Sequence, residues 1–466
     1  MLRLLGTAAM LAFALPGCLT DLVDDPDGGA PAARLDPFVN PIDLEHEHSD
    51  LALHQLSNNI DLVGHTYMTD QGPPGGLGEI DTAGDYAYVA VFDHGFAIID
   101  LKDPAKPEMV SLFDIPTPML PHAVILGGRY TADLKVDNSG DWVFLGMEIS
   151  EYPGVLIVDA RDRTAPRLAG FWPQPGLLAG CHMIEYAVIQ EQEYLFCAPL
   201  DNAVYVGLIL PEAGGVREIQ TVARWVPNSP GYVAREAEHL TSDPQGFPFR
   251  YVVSGHQDMT YQPDPLTGAP TLFVSFWNLG LRIVDVSIPA APIEVGFWDG
   301  IGANGYRGNF HTAMAFEADG KRIAVAIPEG PDPPAIFVLD ATDYQDPVLL
   351  SEWSALPSFT DKEGSNQAGS FSLHNFQVVG GKIYICMGHG GIWVIDVSTP
   401  EKLLAPEPVG SYYPHMPRPD GEDYGIYPWD VNVYKGYMLD GEGNGGFYVL
   451  HFKGDPAGDE TYNGFA

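Results

Sequence analysis

Four histidines stand where a metal site could be built. His182 (GCHMIEY), His239 (EAEHLTS), His311 (GNFHTAM) and His374 (SFSLHNF) each open an alternating apolar segment that runs to a turn, in four consecutive stretches of the chain. Imidazole is the commonest transition-metal ligand, and several neutral imidazoles suit copper, iron or zinc far better than calcium or magnesium. Such ligands want an acceptor on their other ring nitrogen, and Glu238, Glu236 and Glu185 are sequence neighbours able to supply one. The same residues also fit two plainer roles, locking a turn or touching an organic ligand.

Whatever they do, a repeated element must carry them. The stretches FAIIDLKDPAKP (Phe96 to Pro107), VLIVDARDRTAP (Val155 to Pro166), LRIVDVSIPAAP (Leu281 to Pro292), IFVLDATDYQDP (Ile336 to Pro347) and IWVIDVSTP (Ile392 to Pro400) are one motif written five times. Between Asp100, Asp159, Asp285, Asp340 and Asp396 the steps are 59, 126, 55 and 56 residues, so the long step hides one copy. That copy is AVYVGLILP (Ala203 to Pro211), and GFYVLHFKG (Gly446 to Gly454) is a seventh with His451 in place of the aspartate. Each unit of 50 to 60 residues reads as four short strands with no helical periodicity between them. The expected fold is therefore all-β, a single seven-bladed propeller. NIDLVGHTY (Asn59 to Tyr67) is a lone fourth-type strand and the chain ends after a third-type one, so the N-terminal outer strand closes the ring with the C-terminal strands.

The Asp-x-x-x-Pro ending has a local cause, an aspartate bonding the backbone of the turn that follows its strand. These aspartates read as structural. The motif resembles the LVIVD repeat of bacterial cell-surface propellers, over about Leu56 to Gly454. That resemblance implies the fold and says little of activity, because propellers host many functions. In a propeller the first strand is innermost, so the four histidines belong at one rim of the channel. The loop between second and third strands emerges on that same face and carries His94 (FDHGF), His389 (MGHGG) and His256 (SGHQD). With His122 and His415 in the connections between blades, nine of the eleven histidines from His65 onward fall on this face, leaving out His65 and His451. In outline this is similar to carotenoid-cleaving oxygenases and to selenium-binding, thiol-oxidising propellers, a likeness of fold alone.

The first residues read as an export signal, Arg3 followed by LLGTAAMLAFAL, too short to span a bilayer. LPGC resembles a lipobox, which makes residues 1–18 a lipoprotein signal peptide and Cys18 the lipidated first residue of the mature chain. Residues 19–55 read as a flexible acidic tether, 56–454 as the propeller and 455–466 as a C-terminal tail. These features imply a protein of the bacterial cell envelope, held at the outer membrane or cell surface by its lipid anchor. With 23 basic and 62 acidic residues the chain carries a charge of −39, which excludes nucleic acid as a partner and attracts cations. Besides Cys18 there are Cys181, Cys197 and Cys386, an odd number. Cys181 and Cys197 share a hairpin that turns near Glu191. In that register Cys197 faces Tyr186, so no bridge between the two is expected.

Other motifs carry less. DGEGNGG (Asp440 to Gly446) opens like a calcium loop but has His451 at its twelfth position, and reads as a glycine-rich turn between strands. DGEDYG (Asp420 to Gly425) reads as a solvated acidic loop, and the tryptophans as packing between blades. No nucleophile elbow, Walker loop or dinucleotide fingerprint occurs in the context it needs. Two functions fit. One is a monomeric binding or scaffold module for a protein or small molecule, with a histidine-rich, metal-binding upper face. The alternative is a copper-, iron- or zinc-dependent oxidase, oxygenase or hydrolase that uses His182, His239, His311 and His374 as ligands.

Overall fold

Every copy of the repeat forms the third strand of an antiparallel sheet, and seven such sheets make the ring of a β-propeller, six of four strands and that of blade 6 with a fifth, Ser57–Asn58, outside its fourth. The computed structural model describes residues 57–462 apart from 93, 117–132, 148–152, 175–179, 200–202, 228–255, 277–279, 300–309, 329–334, 354–372, 415, 417–418, 420, 422–426 and 444. The inner strands of blades 1 to 7 are Leu77–Ala83, Leu134–Val136, Cys181–Ile189, His256–Pro263, Phe310–Ala318, Phe376–Val379 and Val431–Tyr434. Pro400–Leu404 is the only α-helix among the described residues.

Closure follows the expected route. Ile60–Thr66 pairs with Gly446–Phe452, from Ile60 opposite Phe452 to Thr66 opposite Phe447, and supplies the outer strand of blade 7. The two ends of the described chain thus fasten one blade, and the sheet order leaves no gap in the ring. Seven apolar clusters fill the seven blade-to-blade interfaces, with Trp172, Trp225, Trp298 and Trp393 buried among them. The tail also docks, since Tyr384 and Tyr462 both donate to the Asp455 carboxylate.

At the foot of the blades the repeat aspartates do what their spacing implied. Asp100, Asp159, Asp285, Asp340 and Asp396 each accept the backbone N–H two residues further on, at 2.7 to 3.1 Å. The strand exit is thereby bent into its turn by the side chain that ends it.

One expectation fails. Cys181 and Cys197 are joined in a disulfide, with Cα atoms 5.3 Å apart. Gln190 and Glu191 both take positive φ in a two-residue turn, so Cys197 lies opposite Ile184 rather than Tyr186. A β-bulge at His182 then inserts an extra residue between Cys181 and Met183 and draws Cys181 back toward its partner. Alternation alone cannot reveal such an insertion.

Candidate functional site

The same irregularity recurs where the inner strands begin. In blades 3, 4 and 5 the ladder shifts between Cys181 and Met183, His256 and Asp258, and Phe310 and Thr312, which makes His182, Gln257 and His311 the extra residues. In blade 6 the carbonyl and amide of Cys386 bond to His374 N–H and Asn375 O, two residues against one. A bulge re-aims its side chain. Here the residue after it, Met183, Asp258, Thr312 or Asn375, lines the channel.

His182, His311 and His374 are buried, and they come together. The rings of His311 and His374 lie 4.3 Å apart, Trp429 stacks 4.1 Å beyond His374, and His182 is close enough to act electrostatically on both. Their hydrogen bonds fix the tautomers. His374 Nδ1 meets the Trp429 carbonyl at 2.9 Å, an acceptor, so Nδ1 carries the proton. His311 Nδ1 meets Thr312 Oγ1 at 2.7 Å; with Asp258 ionised, that hydroxyl gives its single proton to Asp258 Oδ2 at 2.6 Å and accepts from the ring. In both rings Nε2 is left as the lone-pair nitrogen. Burial lowers the pKa of His311 well below its ordinary value and that of His374 to about 3, aided by the neighbouring imidazoles. Both rings are neutral at pH 7.

One residue further along each inner strand, a polar channel begins. A cavity of about 570 Å³ is lined by Glu79, Asp81, Lys135, Glu185, Asp258, Thr312, Asn375, Asp430 and their neighbours, and it reaches solvent past exposed Val188 and Asn138 on the face of the repeat aspartates. Burial raises every one of these carboxyls: Asp81 and Asp430 to about 6, Asp258 to about 7, Glu79 and Glu185 well above the usual range. Burial also pulls Lys135 down, but Asp133, Glu185, Glu79 and Asp81 outweigh it and hold the ammonium well above its usual value. The acids and amides also stitch the ring. Asp430, Asp81 and Asp133 accept the backbone N–H of Ile80, Val136 and Ile184 on the next inner strand, and Gln262 and Gln377 accept from Ala315 and Val433.

The remaining candidates scatter. His239, Glu238, Glu236, His122, His415 and Cys18 lie outside the described residues. His256, expected in the loop between second and third strands, instead opens the inner strand of blade 4, the place assigned to His239. His94 is tied to Asp114 of its own blade at 2.7 Å. His389 sits in a 3₁₀ turn, Gly388–Gly390, between second and third strands as expected. His65 is a correction: its Nε2 meets the Gly445 carbonyl in the loop between second and third strands of blade 7, so it belongs to the histidine face after all. Glu185 is a channel acid beside Lys135, and the acceptors on the imidazoles are Thr312 and the Trp429 carbonyl instead. Among the described residues no three His, Cys, Asp or Glu side chains meet closely enough to enclose a metal ion. The acid-lined channel went unread in the sequence, although its signal was there in the polar members of the first strands, as in GEIDT and ADLKV.

Seven closed blades, a bulged inner rim and an acid-lined channel define a β-propeller with its polar groups gathered on the axis. A family model described as the LVIVD repeat matches residues 74–115 and 272–299, and with this architecture the chain is an LVIVD-repeat propeller. A WD40 β-propeller domain of Doa1 has a similar fold, with TM-score 0.51 and 8% identity over 84% of this chain and 96% of that one. Dihydro-heme d1 dehydrogenase NirN in complex with DHE gives a TM-score of 0.42 and 13% identity over 82% of this chain and 68% of that one. No curated protein matches by sequence.

Proposed function

We propose that the chain is an exported, lipid-anchored binding propeller that takes a transition metal ion at its histidine rim. One observation carries this reading: two buried, neutral imidazoles 4.3 Å apart, each with Nδ1–H held by a separate acceptor and Nε2 free of that bond. His311 and His374 would be the core of the site, and His182 is the described residue next in reach. Such nitrogen donors suit copper, zinc or iron, and a bound ion would supply Lewis acidity and a fixed anchor for a ligand at the mouth. Two neutral nitrogens do not enclose an ion, so further donors must join them. The catalytic alternative uses the same histidines and has no observation of its own.

Export is supported by the leader with its LPGC ending and by the Cys181–Cys197 disulfide, which belongs to an oxidising compartment. The decisive experiment is elemental analysis of chain purified without chelators and then loaded with copper, zinc or iron. Stoichiometric metal is expected, falling at least about tenfold in His311→Ala/His374→Ala with the circular dichroism unchanged. Metal-free protein after loading, or equal content in the double variant, overturns the reading.

A further inference from the structure

The polar lining of the channel divides in two. Asp81, Asp258, Asp430 and Asn375 are committed to the ring, each bonded to a backbone N–H or to another lining side chain. Lys135, Glu185 and Thr260 are not. The Lys135 ammonium has three donors, and its one contact among the described residues is Asp133 Oδ1 at 3.4 Å. Glu185 and the Thr260 hydroxyl have no hydrogen-bond partner among the described residues, although both line the cavity and Thr260 is only 6% exposed. Buried polar groups are normally satisfied, so these three point to a partner that stands in the cavity itself.

They are also neighbours. Lys135, Glu185 and Thr260 lie on the inner strands of blades 2, 3 and 4, and the last two hold the same place, the third residue past the bulges at His182 and Gln257. Glu185 acts electrostatically on both Lys135 and Tyr261. Tyr186 and Tyr261 belong to the same wall and stack on Phe144 and Phe196 of the preceding blade, with ring centroids 5.9 and 6.1 Å apart. The wall therefore offers fixed aromatic rings between polar groups.

Its chemistry selects the occupant. Lys135, held as an ammonium, opposes a protonated amine, and the carboxyls around it oppose an anion. What fits is a neutral molecule whose groups donate and accept at once. Burial lifts the pKa of Glu185 well above the usual range, which favours a neutral carboxyl able to do both, as the Thr260 hydroxyl is. Ring hydroxyls match these partners, and the C–H faces of the same ring suit the tyrosines. A volume of about 570 Å³ is that of a small-molecule site.

We infer that the channel wall of blades 2 to 4 binds a neutral polyhydroxylated molecule the size of a mono- or disaccharide, entering from the face of the repeat aspartates. Lys135 donates to its hydroxyls, and Glu185 and Thr260 exchange hydrogen bonds with them. The site stands apart from the imidazole rim and needs no metal.

Isothermal titration calorimetry of the full chain against a panel of neutral sugars, the common pentoses, hexoses, N-acetylhexosamines and their disaccharides, tests this. At least one should bind with a Kd below about 1 mM, equally well to chelator-stripped and to metal-loaded chain. Thr260→Val keeps the side-chain shape and removes the hydroxyl, so it should melt with the unsubstituted chain and bind that sugar about tenfold more weakly. Glu185→Met should weaken binding at least as much. A panel in which no sugar binds, a sugar that binds both variants as tightly as the unsubstituted chain, or binding that requires the loaded metal overturns the inference. So does tighter binding of spermidine or glucuronate than of every neutral sugar.

Discussion

Aspartate behaves in opposite ways at the foot of the blades and in the channel. At the foot, burial pulls Asp100, Asp340 and Asp396 upward in pKa, but bonds from Lys102, Lys321 and Lys402 and from the turn backbone overcome it and hold them as anions. Asp159 goes further, held down by Arg161 and Arg167. In the channel, burial dominates and Asp81, Asp258 and Asp430 are lifted to between about 6 and 7. The backbone hydrogen bonds are alike in both places; what differs is water and a basic neighbour for each acid. The foot is built for stability, whereas the axis holds buried acids whose charged form is penalised.

The contrast has a sign that pH can test. An acid whose folded pKa lies above its unfolded value keeps its proton in the native state while the unfolded chain gives it up, so stability falls as pH rises between the two values. For Asp258 that window runs from 3.8 to about 7. Urea unfolding of Asp258→Asn and the unsubstituted chain should therefore show the variant gaining about 4 kcal/mol, relative to the unsubstituted chain, between pH 4 and pH 8. The lost bond from Thr312 shifts both ends equally and does not alter the slope. Asp159→Asn must do the reverse, because a folded pKa below the unfolded one gives stability that is present above 3.8 and lost as pH falls. Parallel pH profiles for the two variants would abolish the distinction between the regions.

That distinction was half legible in the sequence. The foot could be read because the aspartate recurs at nearly constant steps and its role is local, fixed by the two residues that follow it. The channel could not, because the polar residue at this depth varies among six of the blades, Glu79, Asp133, Asp258, Thr312, Asn375 and Asp430, and only the ring shows them as one surface. The histidines fall between these cases. His182, His311 and His374 were found by aligning first strands, but in blade 4 the alignment went to His239, whereas the strand begins at His256. The tautomers were beyond reach, since they depend on Thr312 and the Trp429 carbonyl, the latter from the next blade.

The upper end of a blade can be broken separately from its foot. Cys181 and Cys197 are 16 residues apart, and a link closing a loop of that length contributes about 3 kcal/mol by restricting the unfolded chain. Cys181→Ser/Cys197→Ser should lower the unfolding free energy by that amount and, because His182 is the bulged residue beside the link, should weaken metal retention at the rim as well. A loss of stability with metal content untouched would assign the disulfide to the scaffold alone.

The smallest effect belongs to the foot. In Asp100→Ala the turn loses the bond to Lys102 N–H, about 1 kcal/mol, and an ion pair that solvent has already weakened to nearly nothing. Because that exposed ion pair already contributes almost nothing, raising the salt concentration should leave the difference between variant and unsubstituted chain nearly unchanged. The channel is expected to be as indifferent to salt but far more costly to disturb. Its acids are screened from bulk ions but share one lysine, so added salt should not rescue a variant that removes Lys135, and Lys135→Met should lose several times more stability than Asp100→Ala at every ionic strength. If chemical unfolding puts the two losses within experimental error of each other, the axis is as well compensated as the foot.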